Sequence, residues 1–263
     1  MTQSPWLLSM GRRPQARLNL VCFAFAGGSA GAFRDLAKKV PEQVEVTAVQ
    51  LPGREGRYAE PFARRIDEIV SVIRRELLTI PIRPTVFFGY SMGALIAFEL
   101  ARHMPRAFPL RHLVVAAKEP PHVAGERPKL HALDDDALID KVRELGGTPA
   151  DVLASRELME FFLPRLRADF EVNETHSHEP KPLDCPILAL GGREDKLALP
   201  ERVLRWGELT TGPSSAKLFD GKHFFFFERA DAQAALIDVL KSELEPEVEP
   251  VPFDRQPSKL WMA

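Results

Sequence analysis

Continuous apolar runs alternate along the chain with segments in which apolar residues recur every three or four positions. The continuous runs indicate buried strands, and the periodic segments indicate helices with one buried face. The alternation predicts a mostly parallel sheet flanked by helices. The predicted strands cover residues 18–25, 44–51, 85–90, 113–117, 186–190 and 217–219. The predicted helices cover residues 66–78, 92–103, 134–145, 155–170 and 230–244, and another begins near residue 200.

Residues 130–182 interrupt this alternation, because they contain two helical patterns and no convincing strand. A helical insertion between strands is a natural candidate for a lid over a site. We therefore expect an α/β core formed by residues 1–129 and 183–244, with the insertion at 130–182 as its lid. Residues 245–263 are rich in proline and acidic residues, so we expect a disordered tail.

Length and charge place the chain among ordinary soluble proteins. Its 263 residues suffice for one large core, and its formal net charge of -2 argues against a broad surface for nucleic acid or anionic membrane. The N-terminus lacks the pattern of a signal peptide, and no apolar run is long enough to span a bilayer. Cys22 and Cys185 lack paired spacing, so we expect reduced core thiols in a cytoplasmic protein. We also expect a monomer.

The strongest local motif is GYSMG at residues 89–93, which matches the nucleophile-elbow pattern G-x-S-x-G. In this pattern a serine lies in strained backbone between a strand and a helix, and small neighbours relieve the crowding. A predicted strand precedes Ser91 and a predicted helix follows it. This context favours a nucleophile over the competing interpretation, an ordinary glycine-rich turn.

A serine hydroxyl is a weak nucleophile until a base accepts its proton. In folds built on this elbow, the acid and then the histidine follow the serine in the sequence. Of the seven histidines, only His223 follows the last predicted strand, so it is the candidate base. Glu194 and Asp195 both follow the strand at 186–190. We select Asp195 as the orienting acid, and Glu194 remains the alternative.

An acyl-transfer intermediate needs two backbone N–H groups aimed at its oxyanion. One should belong to Met92, directly after the serine. The other should belong to Ala26, in the glycine-rich loop after the first predicted strand. That loop could instead hold phosphate, but it lacks both G-x-G-x-x-G and the Walker pattern. We expect no metal and no organic cofactor.

Two other patterns allow alternative interpretations. His176 and His178, flanked by Glu174 and Glu179, could bind a metal ion, although a solvated loop is the favoured interpretation. The four phenylalanines at 224–227 could line an acyl pocket, although packing of a helix start against the sheet is favoured.

Several motifs between residues 20 and 227 resemble the type II thioesterases, which are discrete editing hydrolases associated with polyketide and nonribosomal peptide synthetases. The matching stretches are CF at 22–23, AGGSA at 26–30, LPGRE at 51–55, YSMGA at 90–94, FELAR at 98–102, LGGTP at 145–149, LPRLRAD at 163–169 and GKHFF at 221–225. The chain departs from the family pattern at Tyr90, where histidine is frequent, and at Phe25, where tyrosine or histidine is frequent. Its acid loop also lacks the proline that often follows the acid.

The resemblance implies an α/β-hydrolase fold with a helical lid. It also implies hydrolysis of aberrant or stalled acyl groups from the phosphopantetheine thiol of an acyl or peptidyl carrier protein. Ser91, His223 and Asp195 would then form the catalytic triad. The alternatives on the same fold are a carboxylester hydrolase, a medium-chain fatty acyl thioesterase and a non-hydrolytic binding protein, which would normally have lost a triad residue.

Overall fold

The computed structural model describes residues 4–123, 129–176 and 181–245. Within these residues, the strands are β1 (Leu7–Ser9), β2 (Leu18–Phe23), β3 (Val44–Val49), β4 (Thr85–Tyr90), β5 (Leu110–Ala116), β6 (Ile187–Gly192) and β7 (Ser214–Phe219). They form one sheet in the order β1-β3-β2-β4-β5-β6-β7. Strand β1 is antiparallel to β3, and the other neighbouring strands are parallel.

Helices connect these strands and cover the sheet. The α-helices are α1 (Arg34–Lys39), α2 (Ile66–Leu77), α3 (Met92–His103), α4 (Asp135–Leu145), α5 (Ala150–Ala154), α6 (Arg156–Glu174), α7 (Pro200–Val203), α8 (Phe225–Glu228) and α9 (Ala230–Leu244). Short 3-10 helices cover Ala30–Phe33, Glu55–Arg57, Pro121–Val123, Leu130–Ala132 and Leu204–Leu209. None of the described helices has the length and apolar character of a membrane span.

The periodic and continuous apolar patterns correspond to real elements. Strand β4 and helices α3 and α9 have the predicted bounds. The apolar positions that predicted α2 are all buried: Ile66, Ile69, Val70, Ile73 and Leu77. The prediction of an α/β fold with a mostly parallel sheet is confirmed.

Some predicted boundaries were wrong. The first strand ends at Phe23 instead of residue 25, because the chain turns there and Phe25 packs edge-on against Phe224 instead of continuing the sheet. The second strand ends two residues earlier than predicted, at Val49, although Leu51 remains buried. The last strand begins at Ser214, three residues before its predicted start. Apolar residues that follow these first two strands pack in the protein outside the sheet. The apolar runs are therefore longer than the strands.

Hydrophobic clusters lie on both faces of the sheet. One cluster includes the buried faces of α2 and α3, and the other includes those of α1 and α9. Cys22 and Cys185 are free and buried, as the sequence predicted. Burial raises the pKa of Cys185 to about 12 and also raises the pKa of Cys22, so both are poor thiolate nucleophiles.

The carboxyl ends of the parallel strands share one edge of the sheet. Strand order reverses between β2 and β4, and such a switch point leaves a crevice at this edge. Between β5 and β6, described residues 129–176 contain helices and no strand. Helices α4 and α6 share a small apolar cluster of their own, which consists of Leu138, Val142, Met159, Leu163 and Phe170.

Candidate active site

The turn from β4 into α3 has the strained backbone of a nucleophile elbow. Ser91 has φ 52 and ψ -117, in a region that L-residues rarely adopt. A Cβ added to Gly93 would lie 2.1 Å from the carbonyl oxygen of Phe23, and one added to Gly89 would lie 2.4 Å from the Cα of Ala94. Both neighbours are backbone atoms, so the two glycines of the motif are sterically required.

A chain of hydrogen bonds joins three side chains from different strand ends. The Nε2 atom of His223 lies 3.0 Å from the Oγ atom of Ser91. Its Nδ1 atom lies 2.8 Å from the Oδ2 atom of Asp195. Because an ionised carboxylate only accepts hydrogen bonds, Nδ1 carries the proton and Nε2 is free to accept one from Ser91. The structure therefore brings the predicted serine, histidine and aspartate together.

The carboxylate of Asp195 is held in place by backbone donors. Its Oδ1 atom accepts hydrogen bonds from the N–H groups of Leu197 at 2.8 Å and Ala198 at 3.0 Å. Asp195 is only 2% exposed, whereas the side chain of Glu194 is on the surface. The geometry thus favours Asp195 over Glu194 as the partner of His223.

A buried tyrosine supports the loop that carries His223. The Tyr90 hydroxyl donates a hydrogen bond to the backbone carbonyl of His223. Burial raises the pKa of Tyr90, and the charge of Asp195 raises it further, so this hydroxyl stays a neutral donor. Sequence reasoning noted Tyr90 only as a departure from a family pattern, because no local signal reveals a contact across 133 residues.

Ala26 and Met92 occupy the positions expected of oxyanion donors. Ala26 follows the carboxyl end of β2 and lines the cavity beside Ser91. Met92 is the first residue of α3, where the helix dipole favours negative charge. Among the described residues, neither amide N–H donates a hydrogen bond to a protein acceptor. No acceptor within the described residues therefore occupies either N–H.

A cavity of about 340 Å³ opens onto Ser91 and His223. This volume is within the range of small-molecule sites. Its walls are mainly apolar, and most of them come from the helical insertion. The apolar residues lining it include Phe25, Val142, Leu145, Val152, Met159, Phe162, Leu166, Phe170, Leu197 and Phe224.

The four phenylalanines at 224–227 do not all have the same surroundings. Phe224 lines the cavity. Phe225 and Phe226 are fully buried against the sheet. Phe224 also packs against the same cluster, so the favoured interpretation of packing against the sheet holds for this residue, which in addition lines the cavity.

The other histidines of the described residues lie away from this relay. His176 and Glu174, two members of the considered metal site, have separate partners: His176 lies 3.1 Å from Glu99, and Glu174 lies 2.6 Å from His131. The remaining two members, at positions 178 and 179, lie outside the described residues. Within the described residues, no group of three or more histidine, cysteine, aspartate or glutamate side chains could hold a metal ion.

Comparison with known proteins finds one family model that matches most of the chain. A family model described as a thioesterase domain matches residues 18–244, from β2 to the end of α9. The chain belongs to the thioesterase domain family. This thioesterase is similar to the gramicidin S biosynthesis protein GrsT of Aneurinibacillus migulanus, with 37% identity over 226 residues that cover 85% of this chain and 88% of that protein.

Further relatives agree with the resemblance drawn from the motifs. Thioesterase PikA5 of Streptomyces venezuelae is 34% identical over 229 residues, which cover 84% of this thioesterase and 79% of PikA5. The solved structure of the type II thioesterase BorB, from the borrelidin biosynthetic cluster, matches with a TM-score of 0.82 and 33% identity, over 93% of this chain and 100% of that one. The predicted resemblance to type II thioesterases and the α/β-hydrolase fold are confirmed.

Proposed function

We propose that this thioesterase removes aberrant or stalled acyl groups from the phosphopantetheine thiol of acyl or peptidyl carrier proteins. GrsT is named for gramicidin S biosynthesis, and BorB is a type II thioesterase from the borrelidin biosynthetic cluster, which supports a similar biosynthetic setting here. One observation carries the proposal. The hydrogen bonds from Asp195 through His223 to Ser91 end at an apolar cavity, which suits an acyl chain beside the serine.

The first half of the proposed reaction transfers the acyl group to Ser91. Its Oγ attacks the thioester carbonyl carbon while its proton moves to Nε2 of His223. The carbon–sulfur bond then breaks, and the same proton passes to the departing thiol. Asp195 keeps Nδ1 protonated and stabilises the imidazolium formed in between. The products are a free carrier thiol and an acyl-enzyme ester.

The second half releases the acid. Water attacks the ester carbonyl and gives a proton to His223, which returns it to the Oγ of Ser91 as the ester bond breaks. In both halves the N–H groups of Ala26 and Met92 stabilise the developing oxyanion. Removing one such donor typically slows an enzyme by about 10²–10³-fold.

The helical insertion at residues 130–182 acts as the lid in this proposal. Its helices supply apolar side chains such as Val142, Met159 and Phe162 to the wall of the cavity. An apolar cover excludes bulk water while the acyl group is attached, and it must open to admit a carrier-bound substrate. Lid shape then determines which acyl chains are accepted.

A substrate panel tests the proposal. One acyl group is presented on a carrier protein, on coenzyme A and on p-nitrophenol, and kcat/KM is measured for each with wild-type enzyme and a Ser91→Ala control. We expect the carrier thioester to lead by about tenfold or more, equivalent to about 1.4 kcal/mol of transition-state stabilisation. Equal values for the ester would identify a carboxylester hydrolase. Equal kcat/KM values for the coenzyme A and carrier thioesters would show that the enzyme does not recognise the carrier protein. No turnover of any substrate would favour a non-hydrolytic binding protein.

A further inference from the structure

The loop that carries Ala26 is a defined β-turn. The N–H of Gly28 donates to the carbonyl of Phe25 at 2.9 Å, and Gly27 has φ +78. A positive φ at the second central position alone is the mark of a type II turn. Such a turn can convert to type I if the peptide between its two central residues rotates by about half a turn. The N–H of Ala26 lies in the preceding peptide, whose Phe25 carbonyl accepts the bond that closes the turn, so the Ala26 N–H is held only as firmly as the turn itself.

A carboxylate from the helical insertion anchors the turn at its central peptide, which joins Ala26 to Gly27. The Oδ2 atom of Asp169, in α6, accepts the N–H of Gly27 at 2.7 Å, and Asp169 is fully buried. Hydrogen bonds to an ionised acceptor are stronger than those between neutral groups. Rotation of the peptide to the type I form would turn this N–H away from Asp169. The bond therefore favours the observed turn.

An arginine completes the arrangement. The guanidinium of Arg54 binds both oxygens of Asp169, with Nη2–Oδ1 at 2.8 Å and Nη1–Oδ2 at 3.0 Å. Its Nη1 also donates to the carbonyl of Gly28 at 2.9 Å. The side chain of Arg54 is only 2% exposed. One buried ion pair thus binds the turn at two adjacent residues.

Helix α6 also packs directly on the turn. A Cβ added to Gly27 would lie 2.7 Å from the Cδ2 atom of Leu166, one turn before Asp169 in the same helix. A helix that shifted away would withdraw both the packing and the carboxylate. The position of α6 and the conformation of the turn are therefore coupled.

We propose that Asp169 and Arg54 are positioning residues that hold the Ala26 N–H in place for the oxyanion only while α6 is docked on the turn. This inference rests on the proposed function, because it assumes that Ala26 is an oxyanion donor. Assembly of the oxyanion hole and closure of the insertion are then one event. A carrier-bound substrate that opened the insertion would meet an incomplete hole until α6 returned.

The variant Asp169→Asn tests this role, because it keeps the size of the side chain and removes its charge. We expect kcat for an acyl-carrier substrate to fall by about tenfold to a hundredfold. We expect KM to stay within about twofold, since the lost interaction acts on the transition state. The inhibition constant of an alkylboronic acid, whose tetrahedral adduct carries an oxyanion, should rise by the same factor as kcat/KM falls.

The control is Glu99→Gln. Glu99 is a similarly buried carboxylate, 2.6 Å from Arg102 in α3, and it does not contact the turn. We expect this variant to lower the melting temperature without changing kcat or boronate inhibition. A loss of stability alone in Asp169→Asn would overturn the inference, and so would a rise in KM at constant kcat.

A second variant covers the case in which Asp169→Asn does not fold. Arg54→Lys keeps a cation beside Asp169 but loses the two-pronged contact and the fixed bond to Gly28. We expect a smaller fall in kcat, with boronate inhibition weakened in proportion. Unchanged kcat in a folded Arg54→Lys would contradict a positioning role. Wild-type enzyme is assayed first, so that absent thioesterase activity would count against the proposed function and not against this inference.

Discussion

The Tyr90 hydroxyl donates a hydrogen bond to the backbone carbonyl of His223, although 133 residues separate the two in the sequence. Tyr90 ends β4 and immediately precedes Ser91. One buried side chain therefore connects the strand end that carries the serine to the loop that carries the histidine. This bond lies outside the Ser91–His223–Asp195 relay, yet it supports the spacing within it.

We predict that Tyr90→Phe weakens both stability and turnover. The carbonyl of His223 loses its donor, which should lower the free energy of unfolding by about 1–2 kcal/mol. The freed loop should misplace the imidazole and reduce kcat by about tenfold. Urea unfolding and steady-state kinetics measure the two effects.

The control for this prediction is Tyr58→Phe, since Tyr58 is 74% exposed. It should change neither quantity. If Tyr90→Phe were as stable and as active as the wild type, the hydrogen bond would have no part in placing His223.

The identity of the acid gives a second prediction. Asp195 lies 2.8 Å from His223 and is buried, whereas Glu194 is exposed and only its backbone N–H contacts the histidine loop, at Gly221. Asp195→Asn should lower kcat by about 10³–10⁴-fold, because an amide favours the wrong imidazole tautomer. Glu194→Gln should leave kcat unchanged. Similar losses of kcat in both variants would mean that the loop as a whole, and not the Asp195 carboxylate, supports His223.

Two adjacent glycines supply a matched test of the cavity wall. Gly146 and Gly147 have φ +75 and +79, so alanine strains the backbone at either position. A Cβ at Gly147 would lie 2.3 Å from the ring of Phe224, whereas one at Gly146 would meet nothing within 4 Å. Only Gly147→Ala should therefore displace Phe224, which lines the cavity.

We expect Gly147→Ala to raise KM most for the longest acyl groups in a graded series from acetyl to decanoyl. Gly146→Ala should shift stability without changing the order of substrate preference. The readout is the ratio of kcat/KM between long and short chains in each variant. If this ratio changed by the same factor in both variants, the contact with Phe224 would not determine the space available to the acyl chain.

Sequence reasoning succeeded where a structural requirement is local. Residues 89 and 93 must be glycine because an added Cβ would lie within 2.4 Å of backbone atoms. This requirement is visible in a motif of five consecutive residues. The apolar period of α2 likewise reports one buried helix face. The order of the candidate site residues followed from the elbow, because this fold places the acid and then the base after the serine.

Sequence reasoning failed where partners are distant or elements are short. The stretches LPGRE and LPRLRAD were recognised as motifs, but nothing in either one reveals that Arg54 pairs with Asp169 across 115 residues. Strand β1 has only three residues, too few to show a period, and it exists because it pairs with β3. Phe224 looked like its three neighbours, and only the turn after His223 turns its ring toward the cavity.

The rate at which a fluorophosphonate labels Ser91 tests the central claim most directly, because labelling requires a serine activated by its base. Intact-protein and peptide mass spectrometry should find one adduct, on Ser91. His223→Ala should slow labelling by about 10³-fold or more, while His122→Ala, which alters a surface pair with Glu208, should not slow it. An adduct on another residue, or equal labelling in folded His223→Ala, would contradict activation of Ser91 by His223.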